Sequence, residues 1–189
     1  MVIETNIEAN PQFTPVGYDN GKWSIHNNKL IIFMYMVNDN NIYTYRYLIS
    51  DLQTGQSTTL LEWTSTNEER LEQHIPDYSK VMVDGDSIYL LQATQKNWIL
   101  WKYNTYDASF ENVADITSIL SDTAFKNYIP YMTDCQICNG NIYFKTATDN
   151  SIMLLKYQLQ TSKITQICDF KDCVDVQSEF SVDEQYIYS

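Results

Sequence analysis

A stretch of 29 residues occurs twice in this chain, and its recurrence constrains the fold more than any other feature of the sequence. Residues 75–103 align with residues 129–157 without a gap, at a spacing of 54 residues, and nine of the 29 positions are identical. The identical pairs are Ile75/Ile129, Pro76/Pro130, Ile88/Ile142, Tyr89/Tyr143, Ala93/Ala147, Thr94/Thr148, Leu100/Leu154, Lys102/Lys156 and Tyr103/Tyr157. A repeat of this length is typical of solenoids, propellers and arrays.

Weaker copies of the same pattern lie near both ends of the chain. Residues 23–32 match residues 81–90, with Leu30 at the position of Ile88. Residues 182–189 match the segment that begins at Val83, with Ile187 at the position of Ile88. The sequence therefore predicts three full repeats and the beginning of a fourth.

Each repeat is predicted to contain four short strands, A to D, joined by tight turns. Asp84-Gly85 and Asn139-Gly140, each between apolar segments, are strong hairpin signals because the tight primed turn needs positive φ. In strand C of the second repeat apolar residues point to both faces, as a strand buried on both sides requires. The predicted strands are B at 29–37, C at 42–50 and D at 56–63 in the first repeat; A at 80–84, B at 87–94, C at 98–104 and D near 110–114 in the second; and A at 134–138, B at 141–148, C at 151–159 and D at 163–168 in the third.

Short helices are predicted in the connections between strand D of one repeat and strand A of the next. Thr66 and Glu69 have the spacing of a capping box, and Asp115 is placed to cap a turn or two within residues 116–127. Each connection ends with an Ile-Pro pair, which contains Pro76 in the first and Pro130 in the second. Proline disfavours helix in the residue before it, so these pairs are expected to end the helical segments.

Four antiparallel strands per repeat predict an all-β fold, a β-propeller-like array of four-stranded antiparallel blades with three full blades plus the start of a fourth. A lone blade exposes both of its faces, whereas stacked blades cover each other. The predicted organisation is an N-terminal segment at 1–19, blade 1 at 20–63, a linker with a short helix at 64–76, blade 2 at 77–114, a second such linker at 115–130, blade 3 at 131–170 and the start of blade 4 at 171–189.

Motifs within the repeat resemble those of bacterial propeller families with degenerate blades. Strand B carries Ile-Tyr at 88–89 and 142–143, strand C carries Leu-x-Lys-Tyr at 100–103 and 154–157, and residues 51–55 form an Asp-x-x-Thr-Gly turn. In these features the chain resembles TolB-like and YncE-like propellers and the domains of unknown function related to the YWTD propellers of lipoprotein receptors. The resemblance implies a fold and no particular activity.

Three full blades and part of a fourth do not decide whether this chain closes into a ring, because propellers typically have four to eight blades. We favour a chain that is part of a longer protein, since the sequence stops directly after a strand B signature. The alternative is that strands near residues 2–8 and 13–18 complete a fourth blade begun at the C-terminus. A flat β-meander is the alternative fold, and the recurrence of Ile-Pro in register favours blades over it.

The charge balance argues against several classes of partner. Twelve Lys and Arg against 24 Asp and Glu give a formal net charge of −12. This charge disfavours nucleic acid and anionic lipid surfaces, which attract basic proteins. No apolar run approaches the roughly 20 residues of a membrane helix, so no direct membrane insertion is expected. No signal peptide is visible at the start, and the compartment stays open, including export within an intact parent protein.

Candidate chemistry is sparse, and we predict no catalytic residue, no metal ligand and no cofactor. Cys135 and Cys168 occupy the repeat positions of Val81 and Ala114. They are therefore favoured as small core residues, as thiols often are. A disulfide and a zinc site remain alternatives for the four cysteines, which are Cys135, Cys138, Cys168 and Cys173.

The other candidate ligands have plain structural interpretations. His26 is predicted in the first A–B turn, and His74 lies at the repeat position of Tyr128, where an aromatic packs. Asp84 and Asp86 are favoured as turn residues over a Ca²⁺ site, because the equivalent positions in the third repeat are not carboxylates.

In a propeller the ligand is expected at the face that carries the B–C turns and the D–A connections, since functional residues concentrate on loops over a rigid scaffold. Here the B–C turns are 38–41, 95–97 and 149–151, and the D–A connections are 64–76 and 115–130. The candidate ligand-binding residues are Asn40, Lys96, Asn97, Asp149, Asn150 and Tyr131.

An aromatic row in strand C of the first repeat has two interpretations. Tyr43, Tyr45 and Tyr47 alternate along the strand and so share one face. Such a row is able to stack sugar rings, but at strand spacing it more often forms the face that is buried between blades.

A regular repeat without a catalytic constellation favours a non-catalytic propeller module that binds a protein or carbohydrate partner through its loop face. Its acidic surface suits basic or neutral partners, and nucleic acid is not expected. Two alternatives stay open: the propeller portion of a larger hydrolase or lyase whose catalytic residues lie elsewhere, and a structural module of a bacterial envelope complex.

Overall fold

The computed structural model of the chain is almost entirely β-structure in the part that it describes. That part comprises residues 14–15, 22–69, 79–94, 97–121, 123, 129–148, 151–171, 181–182 and 187–188. The chain divides into two compact units, residues 1–96 with 101–111, and residues 97–100 with 112–189. Within the described residues no helix is long and apolar enough to cross a membrane.

The first sheet is built on the long strand β3. Its strands are β1 (Thr14–Pro15), β2 (Trp23–His26), β3 (Lys29–Val37), β4 (Ile42–Asp51) and β5 (Ser57–Thr66). The order is β1-β3-β4-β5, and β2 also pairs with β3. Both short strands lie along the same edge of β3, since β2 pairs with residues 29–32 and β1 with residues 34–35. The sheet is therefore four strands wide, as a blade requires.

Two further sheets are four-stranded meanders in sequence order. One contains β6 (Lys80–Asp84), β7 (Ser87–Ala93), β8 (Trp98–Asn104) and β9 (Phe110–Asp115), and the other contains β10 (Ile129–Cys138), β11 (Asn141–Thr148), β12 (Ser151–Gln158) and β13 (Lys163–Lys171). The prediction of an all-β, propeller-like array of four-stranded antiparallel blades is thus confirmed. The predicted bounds of the seven segments remain predictions.

Strand β10 differs from its prediction, because it begins at Ile129 rather than near 134. Ile129 and Pro130 pair with Ala147 and Thr146, and an irregularity in register then separates this pairing from Cys135. The second Ile-Pro therefore lies within strand β10, and residues 124–128, where the predicted helical segment would end, lie outside the described part. Proline is tolerated here because β10 lies at the edge of its sheet. Proline has no backbone N–H to donate to a neighbouring strand, and at a sheet edge this loss costs little.

Left-handed turn residues close the predicted A–B hairpins. Asn139 and Gly140 have φ of 50° and 68°, and Asn27 and Asn28 have φ of 46° and 60°. Two consecutive residues of positive φ are the requirement of a type I′ turn, which glycine and asparagine tolerate best. His26 is the last residue of β2 and pairs with Lys29, so the prediction that it lies in the turn is wrong by one position.

One backbone hydrogen bond recurs in all three repeats and shows that they share the same local geometry. The amide of a residue just after strand C donates to the carbonyl of the second residue of the A–B turn. The three bonds are Leu52 N to Asn28 O at 2.8 Å, Thr105 N to Asp86 O at 3.2 Å and Leu159 N to Gly140 O at 3.1 Å. The A–B and C–D turns of each blade are therefore tied together at one end of the sheet.

A short hairpin near the C-terminus repeats the register of the other blades. Strands β14 (Ser181–Val182) and β15 (Ile187–Tyr188) pair with Val182 opposite Ile187. Val83 is likewise opposite Ile88, which confirms the start of a fourth A–B hairpin. Strand β1 pairs within the first sheet, and this corrects the alternative in which residues 13–18 join the C-terminal hairpin. Residues 2–8 lie outside the described part.

The two connections begin with the predicted helix caps. Thr66 N donates to Glu69 Oε2 at 2.7 Å, and Glu69 N donates to Thr66 Oγ1 at 3.2 Å, which is a complete capping box. Asp115 Oδ1 accepts from Ser118 N at 3.0 Å at the start of helix α1 (Ile116–Ser121). Ile116 and Leu120 are buried and hold the helix in the second compact unit.

The core of the first compact unit lies between the first and second sheets. One face of the first sheet contributes the buried residues Ile31, Phe33, Tyr45, Tyr47 and Ile49, and the second sheet contributes Val81, Ile88, Leu90 and Tyr103. Residues at every second position of a strand share a face, which is why the alternating aromatics of β3 and β4 meet in this layer. The two sheets thus cover each other as adjacent blades do.

Replacing Gly140 with alanine should lower the free energy of unfolding by about 1 kcal/mol, because a side chain disfavours the left-handed conformation. A Cβ at this position would contact nothing within 4 Å, so the cost comes from φ alone. Gly140→Asn is the matched control and should cost less, since asparagine tolerates this region. Urea unfolding of the three chains measures the difference, and equal losses for alanine and asparagine would contradict the explanation.

Asp51 follows strand C of the first blade and is stabilised as a carboxylate. Its Oδ2 pairs with Lys29 Nζ at 2.5 Å, and its Oδ1 accepts from the amides of Gln53 and Thr54 at 2.8 and 3.0 Å. These contacts, that of Lys29 first, lower the pKa of Asp51 from 3.8 to about 2. The carboxyl group of Asp51 therefore binds a proton less tightly in the folded protein than in the unfolded chain.

The lowered pKa of Asp51 predicts how stability depends on pH. The carboxylate should stabilise the fold fully above its unfolded pKa, and this contribution should disappear as the pH falls from about 4 to about 2. Unfolding experiments across this range should show the advantage of the native chain over Asp51→Asn shrinking as the pH falls. An advantage that is constant between pH 5 and 2 would show that the ion pair contributes nothing.

Candidate functional site

The end of the first sheet that carries the B–C turn is the best-described part of the predicted ligand face. Residues 38–41 join β3 to β4, and Asn38 organises this turn. Its Oδ1 accepts from the amides of Asn40 and Ile42, both at 3.0 Å, and Asn41 has a positive φ of 57°. The side chain of Asn38 thus takes the place of a backbone carbonyl as the acceptor for these two amides. The conformation of the turn is therefore stabilised by its own residues.

Asn40 lies exposed on this turn, between two exposed aliphatic residues. Val37, which ends β3, is 49% exposed, and Ile42, which begins β4, is 39% exposed. The remaining residues of the turn, Asn38, Asp39 and Asn41, are also exposed. We call residues 37–42 the loop tip. It combines amide groups that donate and accept hydrogen bonds with apolar surface that is unusual at a turn, where polar residues dominate.

The aromatic row beneath the loop tip is packed between sheets. Tyr45 and Tyr47 are fully buried, and the ring of Tyr45 stacks on Tyr43 at 6.3 Å and on Trp63 at 5.4 Å between centroids. Tyr35 and Tyr43, at the end near the loop tip, are half-buried, and so is Trp63. The interpretation of this row as a face buried between blades is confirmed, because Tyr45 and Tyr47 are buried in one cluster with Val81, Ile88 and Leu90 of the second sheet.

The second compact unit places the predicted residue Asn97 in a structural role. Its Nδ2 donates to Asp115 Oδ2 at 2.9 Å, and the next amide, of Trp98, donates to Thr117 Oγ1 at 3.0 Å. These bonds tie the start of β8 to the first turn of helix α1. Asn97 is half-buried, so its amide group serves mainly to position the helix.

The other predicted residues of the ligand face are not all on loops. Tyr131 lies within strand β10, whereas it was predicted to border a loop. Lys96, Asp149 and Asn150 lie outside the described residues. The structure therefore describes Asn40 as an exposed loop residue and Asn97 as a half-buried residue that bonds to the start of helix α1, each in its own compact unit.

The cysteines and acidic residues occupy structural positions. Cys135 is a buried thiol opposite Phe144, and Cys138 and Cys168 are half-buried thiols. In the described ranges no three His, Cys, Asp or Glu side chains group as a metal site. Asp86 lies in the second A–B turn, where its Oδ1 accepts from Asn27 Nδ2 at 3.3 Å. Cys173 and His74 lie outside the described part.

Two buried polar contacts between the first two sheets were not predicted from the sequence. The ammonium group of Lys22 is buried, donates to Ser79 O at 2.7 Å and lies 5.6 Å from the ring centroid of Phe33. The hydroxyl of Tyr47 lies 2.6 Å from Leu91 O and 3.1 Å from Lys80 O, and its burial raises its pKa well above 10.0. No sequence signal identifies such pairs, because they join residues that are far apart in the chain.

The repeated four-stranded sheets, their common register and the packing of the first sheet on the second define a class of protein, the all-β propeller-like arrays of four-stranded blades. No protein-family model matches the sequence, and no curated protein matches it.

Some solved structures are similar to the chain at low sequence identity. An acylaminoacyl peptidase in complex with Z-Gly-Gly-Phe-chloromethyl ketone has a TM-score of 0.49 and 10% identity, over 82% of this chain and 26% of that chain. The apo AtxE2 isopeptidase has a TM-score of 0.49 and 8% identity, over 78% of this chain and 29% of that chain. The β-propeller domain of the Trilobed protease from Pyrococcus furiosus has a TM-score of 0.43 and 10% identity, over 81% and 43%.

This chain therefore spans between about a quarter and two fifths of the length of those chains. Their TM-scores lie below 0.5, so the fold assignment rests on the sheets of this chain themselves.

Proposed function

We propose that this chain is a non-catalytic binding module of the propeller type, and that its loop face binds a protein or glycan partner. The observation that carries the proposal is the loop tip, where Val37 and Ile42 expose 49% and 39% of their surface on either side of an asparagine-rich turn. Amide and aliphatic side chains neither gain nor lose protons near neutral pH, and they suit recognition better than catalysis.

The rigidity of the loop tip favours binding. The two hydrogen bonds to Asn38 Oδ1 hold the turn in one conformation. A preorganised loop loses less conformational entropy when it binds than a flexible one does. The net charge of −12 favours neutral or basic partners over nucleic acid and anionic lipid.

Of the two partner classes, we favour protein. Sugar rings bind by stacking on exposed aromatic faces, and the described aromatics near the loop tip stack on each other. The exposed groups of the loop tip are aliphatic and amide, with one carboxylate at Asp39, and such a mixture is the composition of a small protein contact. A kinship with TolB-like, YncE-like or YWTD-related propellers is part of the same proposal and rests on the Ile-Tyr and Leu-x-Lys-Tyr motifs.

The proposal is tested by binding of the full chain to a protein array and to a glycan array. We expect protein ligands, and we expect the double variant Val37→Asp/Ile42→Asp to weaken their binding by about tenfold or more, since each exposed apolar contact contributes about 1 kcal/mol. The matched control is Tyr106→Asp, at the opposite end of a blade, where the side chain is 94% exposed. Equal binding by all three chains would refute the loop-tip site, and binding to glycans alone would refute the protein assignment.

The alternatives of a propeller portion of a larger hydrolase or lyase and of an envelope assembly module stay predictions. The gene sequence on both sides of this chain tests them, because a hydrolase or lyase would supply a nucleophile motif or a set of metal ligands there.

A further inference from the structure

The outer edge of the first sheet is formed by β5, and no described strand pairs with that edge. β5 has ten residues, and only one of them, Glu62, is charged. One extra residue, Leu60, bulges between the residues that pair with Tyr47 and Leu48. Residues 61–66, which follow the bulge, pair with β4 without interruption. They form a regular strand edge, which we call the open edge.

The edge strands β9 and β13 of the other described blades differ from β5 in ways that oppose pairing with a further strand. β9 has six residues, of which Glu111 and Asp115 are acidic. β13 begins with Lys163 and ends with Lys171. Natural proteins protect sheet edges by keeping edge strands short and by placing charges, often lysine, on them. The bulge is not the difference, because β13 has one at Ile167. The open edge therefore lacks the features that protect the other two.

The backbone of the open edge directs hydrogen-bonding groups away from the sheet. Ile42 N donates to Asn38 Oδ1 at 3.0 Å, and Ile42 O accepts from Asn38 N at 3.1 Å. Because Asn38 follows β3, the polar backbone groups of Ile42 point away from β5. Ile42 pairs with Thr66, and hydrogen-bonded and non-hydrogen-bonded pairs alternate along an antiparallel ladder. The N–H and C=O groups of Glu62 and Thr64 therefore point outward, where they are able to pair with a further strand.

We propose that the open edge pairs with the same edge of a second copy of this chain, antiparallel and centred on Trp63. In this register Glu62 of each copy faces Thr64 of the other, and each such pair exchanges both of its backbone hydrogen bonds. A register centred on Thr64 would need Thr66 N, which donates to Glu69 Oε2 at 2.7 Å. A register centred on Glu62 would place two carboxylates opposite each other. In the favoured register the half-buried Trp63 faces Trp63 of the second copy as a cross-strand aromatic pair.

Charge explains why two copies meet at this edge. Each copy has a net charge of −12, so the copies repel each other. Glu62 Oε2 pairs with Arg46 Nη2 at 2.5 Å, and the other residues of the open edge are uncharged. The open edge therefore adds no net charge to the contact. Because the contact uses the side of the blade and not the loop tip, it is independent of the proposed function.

Sedimentation and NMR hydrogen exchange of the 189-residue chain, from dilute solution to about 1 mM, test the pairing. We expect a dimer that forms with increasing concentration and strengthens with added salt, because salt screens the repulsion between the copies. The amides of Glu62 and Thr64 should exchange more slowly as the dimer forms.

Thr64→Pro removes an outward donor and leaves the pairing with β4 intact. It should raise the dimer Kd by about tenfold or more, since each copy loses a hydrogen bond. Thr64→Val keeps the donor and is the matched control, so its Kd should equal that of the native chain.

Thr64→Glu tests the register without removing a backbone donor. It places a carboxylate opposite Glu62 of the second copy, so it should weaken the dimer at low salt and much less at high salt. A chain that stays monomeric at about 1 mM would overturn the proposal. A dimer that either Thr64→Pro or Thr64→Glu leaves unchanged would also overturn it. Slow exchange of the Glu62 and Thr64 amides that appears only with an added protein ligand would do the same, because the occupant would then be a partner's strand.

Discussion

Replacing Ile88 with aspartate should lower the free energy of unfolding by about 4 kcal/mol or more, because a carboxylate without a partner would be buried between two sheets. Ile88 has no exposed surface and lies in the cluster that contains Tyr45 and Tyr47. Since single domains are stable by only about 5–15 kcal/mol, this loss is a large fraction of the total stability, and the variant should unfold at a much lower urea concentration. Urea unfolding followed by tryptophan fluorescence and circular dichroism measures the loss.

The repeat supplies a matched control at the equivalent position of the first blade. Leu30 occupies the place of Ile88 but is only half-buried. Leu30→Asp should therefore cost only about 1–2 kcal/mol, mostly through the poor fit of aspartate to a strand. Equal losses for the two variants would contradict the view that the first sheet covers the second.

Replacing Tyr47 with alanine should cost about 3–5 kcal/mol, because the substitution removes a fully buried ring from the same layer. The ring lies 5.1 Å from Phe33 and 5.7 Å from Trp63 between centroids. Tyr47→Phe keeps the ring and removes only the hydroxyl, which bonds to Leu91 O at 2.6 Å. It should cost about 1–2 kcal/mol, the range for a buried hydrogen bond.

The comparison of the two Tyr47 variants separates packing from hydrogen bonding. Tyr106→Ala is the control, since this tyrosine is 94% exposed and its loss should change stability by no more than about 0.5 kcal/mol. If Tyr47→Ala cost as little as Tyr106→Ala, the first two sheets would not pack through this residue.

The strands and turns were largely predictable because their signals are local. Asn139-Gly140 specifies its turn by backbone conformation alone, and the period-2 apolar pattern that surrounds it specifies the strands. The capping box of Thr66 and Glu69 is likewise encoded within four residues. The start of β10 was missed because proline is a weak boundary signal when it lies at a sheet edge, where pairing rather than sequence decides.

The candidate site was only partly predictable. The exposure of the turn around Asn40 followed from its composition, whereas the exposure of Val37 and Ile42 did not, because apolar residues at strand ends are expected to be covered. Asn97 was predicted as a candidate ligand-binding residue of the loop face, and the structure shows its side chain bonded to Asp115 at the start of helix α1. That bond joins residues 18 positions apart, and no pattern within either segment indicates it.

By itself, the sequence of this protein determined the repeated unit, its four strands and the left-handed turns between them, since these depend on neighbouring residues and on a spacing that recurs. Only the tertiary structure decided which face of each blade is covered. The equivalent positions Leu30 and Ile88 are both apolar, and Ile88 alone is fully buried. Burial depends on what lies against a face, and that is a property of distant parts of the chain.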